Sequence, residues 1–190
     1  QSASQIWFNK PATFCEETLV LGNGKTGATV FGGTDTEKIY LNDATLWSGE
    51  PVDPYMNPEA YKFVPEIRTA LRNEDYPLAE KLNRKLQGTY SQSYAPLGTM
   101  LMEFNHNNIS DYKRELDLST AVSEVSYHSN GINYKREYFV SYPDKVFVIK
   151  LTANRKNAIS FKLKFESLLR YQSTTQAKLL KVSGYAPYYC

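Results

Sequence analysis

Residues 121–140 read AVSEVSYHSNGINYKREYFV. Ser129-Asn130-Gly131 lies between two strand candidates, Ala121–His128 and Ile132–Val140. Asn-Gly favours the tight turn of a β-hairpin, because both residues tolerate positive φ. Further along, Ile159, Phe161, Leu163 and Phe165 alternate with Ser160, Lys162, Lys164 and Glu166. A period of two marks a strand with one apolar face and one wet face. Val146–Leu151 (VFVIKL) is apolar almost throughout and reads as a central strand. From Pro96 onward the pattern is therefore β, with short strands and turn signals that suggest an antiparallel sandwich.

The region before it is mixed. Thr26–Phe31 and Lys38–Leu41 are strand candidates joined by Gly32-Gly33-Thr34-Asp35, a hairpin signal. Residues 58–88 read as helical. Pro58 and Pro65 suit first helical turns and would interrupt a running helix, so the reading is a turn at 59–63 and a helix from Pro65 to Arg72. Asp75 is placed to cap a second helix with Pro77 in its first turn. Leu78, Leu82 and Leu86 share one face, and Gly88 reads as the C′ residue. The fold class is thus mainly β: one sandwich domain over 1–190, with a short inserted helical pair at about 58–88.

Composition narrows function by exclusion. The chain has 190 residues and a net charge of +2, so it offers no basic field for nucleic acid. No apolar run nears the roughly 20 residues of a membrane span. Two cysteines cannot build a disulfide framework or a zinc site. The two histidines, His106 and His128, argue against a His-based metal centre, and no metal or cofactor is expected. Aromatic content is 14%, with 15 Tyr, and flat amphipathic rings suit both strands and sugars.

The ends add two expectations. The chain starts with Gln1 and a small polar run, as after signal-peptide removal, which points to export: periplasmic, cell-surface or secreted. Its last six residues hold three Tyr and a Cys, unlike a frayed polar terminus, so it reads as the front of a longer protein. Cys15 and Cys190 either pair or remain free thiols.

Several motifs reduce to structure. Gly22-Asn-Gly-Lys-Thr-Gly27 matches G-x-G-x-x-G by spacing, but β-like residues follow it, whereas pyrophosphate sits on a helix N-terminus. A glycine-rich hairpin corner fits better. Asn108-Ile109-Ser110 fits the glycosylation triplet, which is common by chance. Leu41-Asn-Asp-Ala-Thr-Leu-Trp-Ser-Gly-Glu-Pro51 differs in kind. It leaves a strand and sets Trp47 among turn residues. Trp47 suits stacking on a sugar ring, with Asn42 or Glu50 bonding hydroxyls. Alternatively it plugs a gap between sheet and helices, and spacing alone favours the plug. Glycoside hydrolysis needs two carboxyl groups astride the bond. Asp43, Glu50 and Asp53 are close in sequence, yet nothing marks two of them as that pair, so no catalytic residue is assigned.

An ordered set of segments resembles a known family. These are Trp7-Phe-Asn-Lys-Pro-Ala12, Leu21-Gly-Asn-Gly-Lys-Thr-Gly27, Phe31-Gly-Gly33 and Ile39-Tyr-Leu-Asn-Asp-Ala-Thr-Leu-Trp-Ser-Gly49. Tyr94-Ala-Pro-Leu-Gly98, Asp111–Leu118, Arg136–Pro143 and Gly184-Tyr-Ala-Pro187 follow. Together they resemble the N-terminal domain of glycoside hydrolase family 95, the inverting α-L-fucosidases and related α-L-galactosidases. Phe14-Cys15 departs from the family pattern, where a Trp and a small or acidic residue are expected.

The resemblance implies a β-sandwich of large antiparallel sheets (a super-sandwich) that packs on a C-terminal (α/α)6 barrel of the same polypeptide. The barrel carries the catalytic residues, so none is carried over here and the fragment alone is expected to be inactive. The resemblance leaves a supporting role for Asn42, Trp47 and Glu50, at the sugar cleft or at the domain interface. Fucosylated or galactosylated glycans are the implied ligands. An independent carbohydrate-binding module is the alternative.

Overall fold

The computed structural model describes residues 4–49, 51–88 and 92–188. The chain divides into two compact units, one of residues 1–46 with 95–186 and one of 47–94 with 187–190.

The first unit holds the strands. They are β1 (Gln5–Phe8), β2 (Leu19–Gly22), β3 (Thr26–Val30), β4 (Thr36–Asp43), β5 (Gly98–Glu103) and β6 (Ile109–Asp117). Then come β7 (Val122–Ser129), β8 (Ile132–Ser141), β9 (Val146–Ala153), β10 (Lys162–Glu166), β11 (Arg170–Gln176) and β12 (Leu179–Tyr185). They form a first sheet in the order β1-β6-β7-β8-β9, a second in the order β10-β5-β4-β3-β2, and a separate β11-β12 hairpin. Every pairing among them is antiparallel. The mainly β, antiparallel class expected from the pattern is what the chain adopts.

Local chemistry explains the turns. Asn130 and Gly131 have φ of 48° and 79°, the two positive values that a two-residue hairpin turn requires, so β7 and β8 pair in register. The Gly22–Gly27 stretch is the corner between β2 and β3. There the Asn23 side-chain oxygen accepts hydrogen bonds from the backbone N–H groups of Lys25 (3.0 Å) and Thr26 (2.8 Å). No helix follows it, which removes the phosphate-site geometry.

The sheets face each other through one core. Leu19, Leu21, Ala28, Val30 and Ile39 of the second sheet meet Leu116, Val125, Tyr127, Ile132, Tyr134 and Tyr138 of the first. Burial alternates along β7 and β8, as a strand with one dry face demands. β2 lies over β7 and β8, and β3 over β8 and β9. β4 also reaches β8, where Glu37 meets Tyr138 and Arg136.

Two strand readings change. Val146–Leu151 is β9, the edge of the first sheet rather than a central strand. Its apolar run reflects Phe147 and Ile149 packing on the core while Val146 lies opposite Ser141 and Val148 opposite Phe139. Apolarity on both faces cannot by itself distinguish a middle strand from an edge strand. The alternating Ile159–Phe165 segment becomes strand only at Lys162, and Phe161 instead approaches the Phe104 ring at 5.6 Å.

The second unit contains α1 (Val64–Arg72) and α2 (Tyr76–Asn83), preceded by a 3₁₀ turn at Ala60–Phe63 and followed by another at Arg84–Leu86. Pro65 sits in the first turn of α1. Asp75 caps α2 by accepting the Leu78 N–H at 3.0 Å. The buried face of α2 is Ala79 and Leu82, while Leu78 is exposed. Gly88 is not the left-handed C′ residue expected, since its φ is not positive. It is required by close approach, because a Cβ there would lie 2.0 Å from the Met56 sulfur. Asn57 ties that end down by donating to the Lys85 and Gln87 carbonyls, each at 2.9 Å.

Candidate functional site

The three residues singled out from sequence fall in different places. Asn42 lies near the end of β4, opposite Gly27 of β3. Gly27 has no side chain to crowd it. The Asn42 Oδ1 is buried and has no hydrogen-bond partner among the described residues. Trp47 begins the second unit. Glu50 lies outside the described residues.

Trp47 gains its partner from the far end of its own unit. It forms an antiparallel bridge with Tyr94. Next to that bridge the Ser48 N–H donates to the Ser93 carbonyl at 2.9 Å, and the Ser93 N–H donates to the Ser48 hydroxyl at 3.1 Å. Ser48 is buried, so this polar lock is dry. The Trp47 and Tyr94 rings stand edge to face at 6.1 Å and 78°, a favourable quadrupole arrangement. The rings remain accessible, with Trp47 45% and Tyr94 52% exposed. A fixed, half-open aromatic pair is a suitable wall for a sugar ring or for another apolar surface. Sequence does not single out Tyr94 as a partner of Trp47, since 47 positions separate the two and only folding brings them together.

The carboxylates nearest this segment in sequence are turn caps. Asp43 accepts from the Thr45 N–H (2.9 Å) and hydroxyl (2.6 Å), and these bonds hold its carboxyl below the usual range. Asp53 accepts the Tyr55 N–H at 2.9 Å. The Asp43 carboxylate, held ionised by local donors, is poorly suited to protonate a leaving oxygen. On the outer face of the first sheet Glu124 and Glu137 pair with Lys135, Glu137 also with Lys150, and Glu115 with Lys113. Glu103 pairs with Lys164 on the second sheet.

Glu37 is different because it is fully buried. It accepts the Gly32 N–H (2.8 Å) and the Tyr138 hydroxyl (2.8 Å), and it pairs with Arg136 at 3.2 Å. Burial pushes its carboxyl up, and Arg136, Tyr138 and the Gly32 amide pull it back. Arg136 also donates to the Gly33 carbonyl at 2.7 Å and lies over the rings of Phe104 and Tyr127. The group is enclosed in the core and acts as a buried tie between the sheets.

His106 lies against Tyr134 with ring centroids 4.1 Å apart, and its Nδ1 is 2.8 Å from the Tyr127 hydroxyl. His128 Nδ1 is 2.6 Å from the Asn133 side-chain oxygen. Among the described residues no three His, Cys, Asp or Glu side chains cluster to hold a metal. Cys15 is exposed, and Cys190 and any pairing with it lie outside the described residues. Among the described residues no helix is long and apolar enough to cross a membrane.

Comparison with known proteins adds what geometry alone does not. Residues 6–188 match the family described as "Glycosyl hydrolase family 65, N-terminal domain". The chain is 35% identical over 178 residues to "Alpha-L-fucosidase 2" of Arabidopsis thaliana, covering 92% of this chain and 21% of that protein. It is 27% identical over 193 residues to "Probable alpha-fucosidase A" of Aspergillus oryzae, covering 96% of this chain and 27% of that one. The namesake in Aspergillus niger is 30% identical over 164 residues, covering 80% and 20%. The chain thus spans about a fifth to a quarter of the curated relatives it matches. A match across nearly the whole chain shows the family: the chain belongs to the glycosyl hydrolase family 65 N-terminal domains, and the relatives it matches are named as α-fucosidases, in line with the resemblance to glycoside hydrolase family 95.

Proposed function

We propose that this chain is the non-catalytic N-terminal sandwich of an exported, inverting α-L-fucosidase-like glycoside hydrolase. It packs on a C-terminal (α/α)6 barrel of the same polypeptide and borders its sugar cleft. The observation that carries this reading is the 35% identity to an α-L-fucosidase over 92% of the chain but only 21% of the relative. The capped and paired state of Asp43, Asp53, Glu103, Glu124 and Glu137 is consistent with it, since acid catalysis then falls to another part of the protein. The test is cleavage of an aryl α-L-fucoside by this chain and by the polypeptide extended through the barrel. Turnover only in the longer protein is expected, and turnover by the short chain overturns the reading.

The accessible Trp47–Tyr94 pair supports a second reading, an independent carbohydrate-binding module. NMR titration with fucose, galactose and fucosylated oligosaccharides separates the two. Saturable shifts at Trp47 and Tyr94 in the short chain favour the module. Their absence, with loss of turnover on Trp47→Ala in the longer protein at unchanged stability, favours a wall of the cleft.

A further inference from the structure

Arg136 carries the five N–H donors of a guanidinium and is only 2% exposed. Its Nη2 donates to the Gly33 carbonyl at 2.7 Å and lies 3.2 Å from the Glu37 carboxylate. Nε and Nη1 carry three of the donors and have no hydrogen-bond partner among the described residues. The Phe104 and Tyr127 rings have their centroids 5.0 and 5.4 Å from the guanidinium carbon. Their attraction acts on the charge and does not replace a hydrogen bond for an N–H group. A buried donor with no acceptor bears its full desolvation penalty, so native cores leave few of them.

Arg136 is one wall of a small cavity, which Phe104, His106, Tyr127, Tyr134 and Ile159 also line. Its volume is about 10 Å³. A single water molecule needs roughly 10–15 Å³ of such space and two to four polar partners. Acceptors stand ready beside the donors. Tyr127 and Tyr134 are both buried. The Tyr134 hydroxyl donates to the Ala158 carbonyl at 3.4 Å, which leaves its oxygen free to accept. The Tyr127 hydroxyl meets His106 Nδ1 at 2.8 Å. Whichever of the two holds that proton, the phenol oxygen keeps a lone pair.

A halide ion suits the cavity less well. It is larger than water, and the space is at the lower limit for one water. Glu37 already stands against the Arg136 charge, so no further anion is called for. A dry cavity is the expectation for apolar walls, and these walls hold a guanidinium and two hydroxyls.

We propose that one ordered water molecule sits in this cavity, accepting from Arg136 and donating to the Tyr127 and Tyr134 hydroxyls. It joins two polar groups that the side chains leave separate. One is the half-buried His106 with Tyr127 of β7. The other is the tie of Glu37 on β4 to Arg136 and Tyr138 on β8. A polar chain then runs from His106 to the fully buried Glu37. The site lies wholly within the first unit.

A high-resolution crystal structure of the protein tests this. A solvent peak is expected within hydrogen-bond distance of Arg136 Nε or Nη1 and of a Tyr127 or Tyr134 oxygen. A cavity without a peak overturns the proposal. So does an anomalous peak there after a bromide soak, which makes the ligand an anion. In solution the Arg136 Nε–H should show a direct NMR cross-peak to water, with the sign of a long-lived bound molecule. A resolved Nε–H without that cross-peak also overturns it. Glu37→Leu with Arg136→Met should lose the solvent peak, because the charged donors are gone. A peak kept in that variant removes Arg136 as the anchor. If the double variant fails to fold, the bromide soak and the Nε–H cross-peak decide by themselves.

Discussion

One register row crosses the first sheet from margin to margin: Phe8, Arg114, Val125, Arg136 and Leu151. Its two ends are finished differently. At the Phe8 end the Arg114 guanidinium lies 3.9 Å from the ring centroid of Phe8. It donates to the Lys10 carbonyl at 2.8 Å and the Glu17 carbonyl at 2.6 Å. The segment between β1 and β2 is thereby clasped over that margin, and Arg114 is only 1% exposed. At the Leu151 end there is no clasp. Leu151 is half-buried on an edge strand, beside Phe104 and a partly exposed Ile159. A planar fork of donors can hold two carbonyls at once, so one arginine closes one side. The other side keeps a backbone edge to which no strand is paired among the described residues.

The largest effect is expected where the row crosses the middle. Glu37→Ala leaves the Arg136 charge buried without its carboxylate and should cost roughly 3–5 kcal/mol in urea unfolding. Replacing both residues together, Glu37→Leu with Arg136→Met, should cost clearly less than Glu37→Ala, because no unpaired charge remains. An equal or larger loss in the double variant would show that packing, not charge pairing, dominates there.

Arg114→Ala should come next, at about 2–3 kcal/mol, because two carbonyls lose their donors and Phe8 loses its stacked partner. The segment between β1 and β2 should then open, with faster cleavage after Glu17 by a glutamate-specific protease. Arg114→Lys should recover only part of the loss, since an ammonium cannot reproduce the fork. Cleavage after Glu17 unchanged in Arg114→Ala would sink the clasp.

A pH effect should be smallest. Burial and the nearby Arg136 charge hold the His106 imidazole below its ordinary pKa of 6.5. The unfolded chain therefore takes up the proton first. Stability present above pH 6.5 should fall as the pH drops through and below that value. His106→Phe should flatten the urea midpoint between pH 7 and 5 (about the histidine range), and an unchanged slope in that variant would exclude His106 as its source.

Local features were legible in the chain. Asn130-Gly131 announced the β7–β8 turn, Asp75 and Pro77 announced the start of α2, and alternation announced the half-buried strands. Each depends on a few neighbouring residues whose backbone preferences act before any packing occurs. Gly88 was misread for the reason opposite to this. Its need for a missing side chain comes from Met56, 32 positions earlier, and no local preference records it. β9 was misread because an apolar run reports burial of side chains, while the position of a strand in a sheet depends on what its backbone edge meets.

The candidate site divides the same way. Trp47 stood out in sequence as an aromatic among turn residues, and the ordered motifs around it carried the family. Tyr94, the Ser48–Ser93 lock, the Glu37–Arg136 tie and the Arg114 clasp did not stand out. Each joins residues distant in the chain, and single Glu, Arg or Tyr residues in a strand look the same whether solvated or buried. Sequence alone therefore determined the strands, the helical pair and the family, through short-range backbone preference and inherited order. Tertiary structure alone decided which charges are buried, which margin is closed and which edge is open. Those outcomes depend on what each side chain and backbone edge meets across space.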